Sequence, residues 1–124
     1  MRKKTKQSTT TQYSLTDLVI ESILDKKGEE VVHLDLTALN DAVADHFIIC
    51  HADSTTQVMA IGNHIAQNVL DKAGLRPFGK EGFENAEWII LDYTDVAVHV
   101  FYQEKRYLYQ LHDLSHDAPT KKVS

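Results

Sequence analysis

The chain has 124 residues, 43% hydrophobic and 25% charged, with one cysteine, Cys50, so it fits a single globular domain without a disulfide. No apolar run approaches the roughly 18 residues that cross a bilayer, and we predict a cytoplasmic protein with no membrane partner. The terminal segments 1–12 and 119–124 hold six of the thirteen basic residues, which leaves a charge of −11 on residues 13–118; phosphate is repelled by such a body, which argues against direct sequence-specific nucleic-acid binding.

The chain is predicted to consist of one domain between two tails. Residues 1–12 are polar and basic and lack hydrophobic periodicity, which indicates a disordered N-terminal tail. Every segment with helix or strand periodicity lies within residues 13–115, which we assign to a single domain. Residues 116–124 are predicted to be a polar C-terminal tail.

Two polar pairs predict the starts of two helices. Ser14 with Asp17, and Ser54 with Gln57, have the spacing of N-terminal caps. Apolar residues at helical spacing follow each pair. The second helix should end at Gly74, because glycine readily adopts the left-handed conformation that ends many helices.

Four strands complete the predicted fold. Alternating or continuous apolar residues indicate strands at 31–36, 47–50, 88–91 and 96–102. A glycine-containing loop is predicted at 78–86, and a last helix from about Gln103 with Leu111 and Leu114 on its apolar face. Long helical connections imply a parallel pair, and the short turn 93–95 implies an antiparallel pair. We therefore predict an α/β (α+β) fold, with a mixed β-sheet of about four to five strands flanked by helices.

The two strands joined by the 93–95 turn are apolar on both faces. Trp88 and Ile90 share one face of the first strand, and His99 and Phe101 share one face of the second. Helices could cover both faces, and the hairpin would then be ordinary core. Alternatively, three helices leave part of the sheet uncovered, and Trp88, His99 and Phe101 form a protein-binding patch. The residues alone leave both interpretations open.

The candidate catalytic groups all have structural explanations. Asp92 and Asp95 could hold magnesium in a nucleotidyltransferase-like enzyme. No glycine-rich phosphate loop accompanies them, however, and aspartate favours turns. Cys50 and His51 are adjacent in a strand, where neighbouring side chains point to opposite faces, so a buried structural cysteine is expected. No metal or cofactor is predicted.

Three sequence runs together resemble a known family. They are DHFIIC at 45–50, EWIILDY at 87–93 and DVAVHVF at 95–101. With Glu81-Gly82 before the second run and a final helix containing Arg106, they resemble the signature of the ribosomal silencing factors, also called the Iojap-related family. The resemblance extends over about residues 14–115.

The resemblance implies a nucleotidyltransferase-like fold without catalytic residues, and a translation repressor that is not an enzyme. Such proteins bind the large ribosomal subunit through ribosomal protein number fourteen, block joining of the small subunit and silence translation when nutrients are short. A basic ribosomal protein is therefore the expected partner, and the alternatives are a homodimer through the same surface or a magnesium-dependent nucleotidyltransferase using Asp92 and Asp95. The residues expected to dock the partner are Lys80, Glu81, Trp88, Ile90, Asp92, Tyr93, Asp95, His99 and Phe101.

The chain departs from that family's pattern at two turn positions, and also at Ala52-Asp53, where Gly-Thr is typical. Thr94 stands where a glycine is usual before Asp95, and Ala86 stands where a glycine is usual before Glu87 and Trp88. A left-handed backbone at Thr94 would be strained, because its side chain is β-branched.

Overall fold

A computed structural model of the protein describes residues 14–39, 44–109 and 120–123. The predicted N-terminal tail, and Leu111 and Leu114 of the predicted last helix, lie outside these residues. The helices are α1 (Leu15–Asp25), α2 (Thr55–Ala73) and α3 (Gln103–Tyr109). The strands are β1 (Glu29–Asp35), β2 (His46–Ala52), β3 (Gly79–Glu81), β4 (Trp88–Asp92), β5 (Val96–Tyr102) and β6 (Thr120–Lys122).

The sheet is mixed, and within the described residues its strand order is β3-β4-β5-β2-β1-β6. β2 and β5 run parallel, from His46 opposite Val96 to Ala52 opposite Tyr102. All the other neighbouring strands in this order are antiparallel. The crossover through α2 makes the parallel pair possible, because parallel strands cannot be joined by a tight turn. The predicted mixed sheet flanked by helices is confirmed.

The predicted caps of α1 and α2 are confirmed. The Ser14 hydroxyl accepts the backbone N–H of Asp17 at 3.1 Å, and the Ser54 hydroxyl accepts that of Gln57 at 3.1 Å. Each bond satisfies a backbone donor that the first helical turn leaves without a partner. Gly74 ends α2 in the left-handed conformation, with φ at 70°. Local sequence therefore determines where these two helices begin and where α2 ends.

Two short strands lie in segments for which the sequence predicted no strand. The predicted loop 78–86 contains β3, so the prediction of a loop is wrong there. The predicted polar tail 116–124 contains β6, which pairs with β1, and Val123 packs against the core. Segments of three residues are too short to show the alternation that marks a strand, and pairing with a longer neighbour decides their structure. The limits 13–115 of the domain stay a prediction.

Both long helices pack against the same face of the sheet. The larger core cluster joins residues of α1 and α2 to Ile48, Leu91 and Val98. A second cluster on the opposite face contains Phe47, Ala97 and other strand residues, but no residue of α1 or α2. The face that carries Trp88 is therefore covered by neither long helix. None of the described helices has the length and apolar character of a membrane span.

The two turn positions that depart from the family pattern both have positive φ. Ala86 has φ at 57° and Thr94 has φ at 75°. Glycine is the residue that enters this region without a steric cost. The strain expected at Thr94 is present, and the Asp92 carboxylate partly offsets it by accepting the Thr94 backbone N–H at 2.8 Å. Asp92 thus has a structural role in the turn between β4 and β5.

Candidate functional site

The structure brings most of the predicted docking residues together on the sheet face opposite α1 and α2. The β4–β5 register pairs Trp88 with Phe101 and Ile90 with His99. β3 pairs Glu81 with Ile90. Because residues paired across neighbouring strands point to the same side of a sheet, their side chains form one surface. This surface, called here the hairpin face, consists of Glu81, Trp88, Ile90, Asp92, His99 and Phe101.

Four rings pack together at the centre of this side of the sheet. Trp88 and Phe101 stack with their centroids 5.2 Å apart. Phe47 from β2 lies 4.9 Å from the His99 ring. The indole N–H of Trp88 donates to Nδ1 of His99 at 3.0 Å. Aromatic pairs of this kind contribute about 0.5–1.5 kcal/mol beyond the burial of their area, so the cluster holds the Trp88 ring in a defined orientation.

Exposure differs sharply among the residues of the hairpin face. Phe101 is 1% exposed and His99 is 6% exposed, whereas Trp88 and Ile90 are half-buried. A partner can therefore contact Trp88 and Ile90 directly. Phe101 supports the Trp88 ring by stacking, so of the two apolar anchors expected from the sequence, Trp88 is the accessible one.

A cavity of about 180 Å³ adjoins the ring cluster. Its apolar wall comes from strand side chains, and two carboxylates stand among its lining residues. Negative charge beside an apolar cavity favours a positively charged partner segment and disfavours a negatively charged one. The lining residues that matter here are Phe47, Glu81, Ile90, Asp92, Ala97 and His99.

Burial makes His99 a poor base. It lowers the pKa of the imidazole from 6.5 to about 4, because the charged ring is disfavoured away from water. The ring is therefore neutral at pH 7, and each of its two nitrogens has a fixed hydrogen-bonding role.

Acidification from pH 7 to pH 4 is expected to lower the free energy of unfolding of the wild-type protein more than it lowers that of a His99→Phe variant. The folded-state pKa of His99 is about 4, while an unfolded histidine titrates near about 6.5. The unfolded chain binds more protons between these values, so stability is lost as the pH falls through this window. The integrated loss is about 3 kcal/mol.

Urea denaturation of both proteins at pH 7, 6, 5 and 4 measures this difference. His51 also has a lowered pKa, from burial first and then from the nearby Arg106, but it is present in both proteins and cancels. Parallel stability curves for the two proteins would contradict the assignment.

Three predicted docking residues lie away from the hairpin face. Lys80 pairs with Leu91 and points to the helix side, where its ammonium group lies 4.9 Å from the centroid of the Phe83 ring. Tyr93 is 8% exposed and belongs to the helix-side core. Its hydroxyl has no hydrogen-bond partner among the residues that the structure describes, and burial raises its pKa to about 12. Asp95 is exposed at the turn.

The side chains considered for catalysis are either bonded to the backbone or buried. Among residues 14–39, 44–109 and 120–123, no three His, Cys, Asp or Glu side chains are grouped so as to hold a metal. Asp92 is engaged by the Thr94 backbone. Cys50 is buried, and burial raises its pKa to about 12, so it stays a thiol and a poor nucleophile.

The sequence did not identify Phe47 and Ala97 as part of this site. They are opposite each other in the parallel β2–β5 pair, and Ile49 lies opposite His99 in the same pair. An apolar run such as 47–50 does not reveal which strand it pairs with, or which of its residues shares a face with the hairpin. Only the sheet register identifies Phe47 as a wall of the cavity.

Comparisons with known proteins agree on one family. Residues 8–124 match the family model described as "Ribosomal silencing factor during starvation". A protein named ribosomal silencing factor RsfS from Halalkalibacterium halodurans is 41% identical over 106 residues, which cover 86% of this chain and 89% of that protein. Its namesake from Bacillus subtilis is 38% identical over 108 residues, covering 87% of this chain and 90% of that protein.

Solved structures give the same picture. A crystal structure from Bacillus halodurans superposes with a TM-score of 0.76 at 35% identity, covering 88% of this chain and 97% of that one. A crystal structure of a protein from Chromobacterium violaceum has a TM-score of 0.77 at 33% identity, covering 89% of this chain and 88% of that one.

Proposed function

Because this chain belongs to the ribosomal silencing factor family, we propose that it binds the large ribosomal subunit through ribosomal protein number fourteen. Bound there, it blocks joining of the small subunit by steric exclusion and represses translation when nutrients are limited. The mechanism requires a docking surface and no cofactor. Its site of action is the cytoplasm, where the ribosomal subunits meet.

The observation that carries the proposal is the half-buried Trp88–Ile90 pair on a sheet face that neither α1 nor α2 covers. Aromatic side chains at the centre of an interface are frequent hot spots, because they bury a large area with little loss of side-chain entropy. The stacking of Trp88 on Phe101 fixes the ring before the partner arrives, which lowers the cost of ordering it on binding.

Charge supports a basic protein as the partner. Glu81 and Asp92 lie at the cavity of the hairpin face, and Asp95 is exposed at the adjoining turn. Residues 13–118 carry a charge of −11 by sequence. An acidic surface of this kind accelerates encounter with a basic ribosomal protein and disfavours bare RNA. Lys80 and Tyr93 lie on the helix side of the sheet, outside the hairpin face.

The test of the proposal is a subunit-joining assay. Purified small and large subunits are mixed at joining concentrations of magnesium, with and without the protein, and light scattering follows the joined ribosomes. The proposal predicts that preincubating the large subunit with the protein lowers the amplitude of joining. Preincubating the small subunit with the protein should lower joining only to the extent that the protein afterwards binds the added large subunits. Undiminished joining at saturating protein would contradict it.

A homodimer through the hairpin face is the competing use of the same residues. In that case protein–protein and protein–subunit contacts would exclude each other. Light scattering of the protein with and without large subunits distinguishes the two cases. A stable dimer that does not bind large subunits would contradict the proposed function and favour the homodimer.

A further inference from the structure

Two small residues, Gly79 and Ala97, lie in the row of the sheet that lines the cavity of the hairpin face. The register places Gly79 opposite Asp92, Asp92 opposite Ala97, and Ala97 opposite Phe47, so these four form one row across four strands. All four line the cavity of about 180 Å³. Because glycine has no side chain and alanine has a single methyl group, the row leaves space that longer side chains would fill.

The backbone does not require a glycine at position 79. Glycine within a strand usually marks a bulge, a tight bend or the close approach of another group. The β3–β4 register has no shift between Gly79 and Glu81, and Gly79 lies outside the left-handed region that Gly74 and Gly82 occupy. A Cβ atom at position 79 would meet the Cβ of Asp92 at 3.9 Å, an ordinary van der Waals contact. Of the three explanations, the close approach of another molecule is left.

The cavity is acidic, and no basic side chain of the described residues lines it. Glu81 and Asp92 both line the cavity, and neither forms an ion pair within the described part of the chain. Asp92 uses Oδ1 to accept the Thr94 backbone N–H, which leaves Oδ2 for another donor. His99 adds no positive charge at pH 7, because burial lowers its pKa to about 4. The lining therefore has a net negative charge beside an apolar wall.

We infer that Gly79 is a specificity-determining residue, because its missing side chain lets one long cationic side chain of the basic partner enter the cavity. Lysine and arginine combine an apolar stem with a cationic head. The stem packs against Phe47 and Ala97, and the head lies beside Glu81 and Asp92. The inference rests on the proposed function and specifies the partner chemistry at its docking surface.

Charge favours this occupant over the others that could reach the cavity. The phosphates of RNA would be repelled by the two carboxylates. A second copy of the chain, docked by the same face in a two-fold dimer, would place two like surfaces against each other. The carboxylates of the two cavities would then repel one another. A basic protein brings the opposite charge.

The first part of the experiment fills the cavity and measures affinity for isolated large subunits, by competition with labelled wild-type protein. Gly79→Ala adds one methyl group, and Gly79→Val adds a larger side chain that favours a strand conformation. We expect Gly79→Val to weaken binding about thirtyfold, the loss of one hot-spot contact, and Gly79→Ala to weaken it less. Urea denaturation should give Gly79→Val a midpoint equal to or above that of the wild-type protein, which a purely structural role of the glycine would not.

The second part removes the charge and uses a matched control. Glu81→Gln and Glu84→Gln each remove one negative charge with little change of size. Glu84 is exposed and does not line this cavity. We expect Glu81→Gln to weaken binding about fivefold at low salt and by a smaller factor at high salt. Glu84→Gln should bind nearly as the wild-type protein does.

Four results would overturn the inference. They are wild-type affinity in Gly79→Val, unfolding of Gly79→Val, equal losses in Glu81→Gln and Glu84→Gln, and a changed mass of free Gly79→Val in light scattering with unchanged affinity for large subunits. The last result would assign the cavity to a homodimer. Failure of the wild-type protein itself to bind large subunits would instead overturn the proposed function.

Discussion

Replacing Gly82 by alanine will lower the free energy of unfolding by about 3 kcal/mol, the sum of a left-handed strain and a steric clash. Gly82 has φ at +85°, where a side chain is strained. A Cβ atom there would also overlap the carbonyl oxygen of Trp88. Neither atom is the flexible end of a side chain, so the chain between β3 and β4 would have to move, and Glu81 and Trp88 would move with it.

Gly74→Ala is the matched control for this substitution. Gly74 has nearly the same conformation, with φ at +70°, but nothing lies within 4 Å of the position of its Cβ. Only the conformational cost remains, and we expect a loss of about 1 kcal/mol. Urea denaturation of both variants measures the difference. Equal losses would show that the close approach of Gly82 to Trp88 does not determine how β3 joins the site.

Replacing Ile90 by lysine will weaken binding to the large subunit by about 2 kcal/mol or more, which is roughly a thirtyfold loss of affinity. Ile90 lies between Glu81 and His99 in the sheet register and is half-buried. Lysine keeps an apolar stem that can cover the same strand surface, with its ammonium group in solvent. The fold should therefore survive. A positive charge at the centre of a surface that receives a basic protein opposes docking through both desolvation and repulsion.

Phe78→Lys is the control that separates a local effect from a change in net charge. Phe78 is 87% exposed and does not line the cavity of the hairpin face. Like Ile90→Lys, this substitution replaces an apolar side chain with lysine and adds one positive charge. Because Phe78 does not line the cavity, binding should change little. Unchanged binding by Ile90→Lys, or an equal loss in both variants, would remove Ile90 from the docking surface.

Local signals in the sequence were sufficient for the long elements. The caps at Ser14 and Ser54 and the left-handed end of α2 at Gly74 depend on residues within a few positions of each other. The resemblance carried by 87–101 identified the family, and most of its expected docking residues lie on one face. The predicted helix caps and the predicted family are therefore confirmed, whereas the docking role of these residues stays a prediction.

Features that depend on distant pairing could not be predicted in the same way. β3 and β6 are strands only because β4 and β1 lie beside them. The burial of Tyr93 and the position of Lys80 on the helix side depend on which face α1 and α2 occupy, whereas Phe101 is buried in the cluster on the opposite face. An apolar hairpin is compatible with either arrangement. The Trp88–His99 hydrogen bond requires the register of two strands at the resolution of single residues.

The central claim is that this chain docks on the large subunit through the hairpin face, and sedimentation with isolated subunits tests it most directly. The protein is centrifuged through sucrose with large subunits alone, with small subunits alone and without either, in parallel with Ile90→Lys and Phe78→Lys. We predict that wild type and Phe78→Lys co-sediment with the large subunit only, and that Ile90→Lys stays at the top of the gradient. Absence of the wild-type protein from the large-subunit fraction, or its equal recovery with both subunits, would contradict the account.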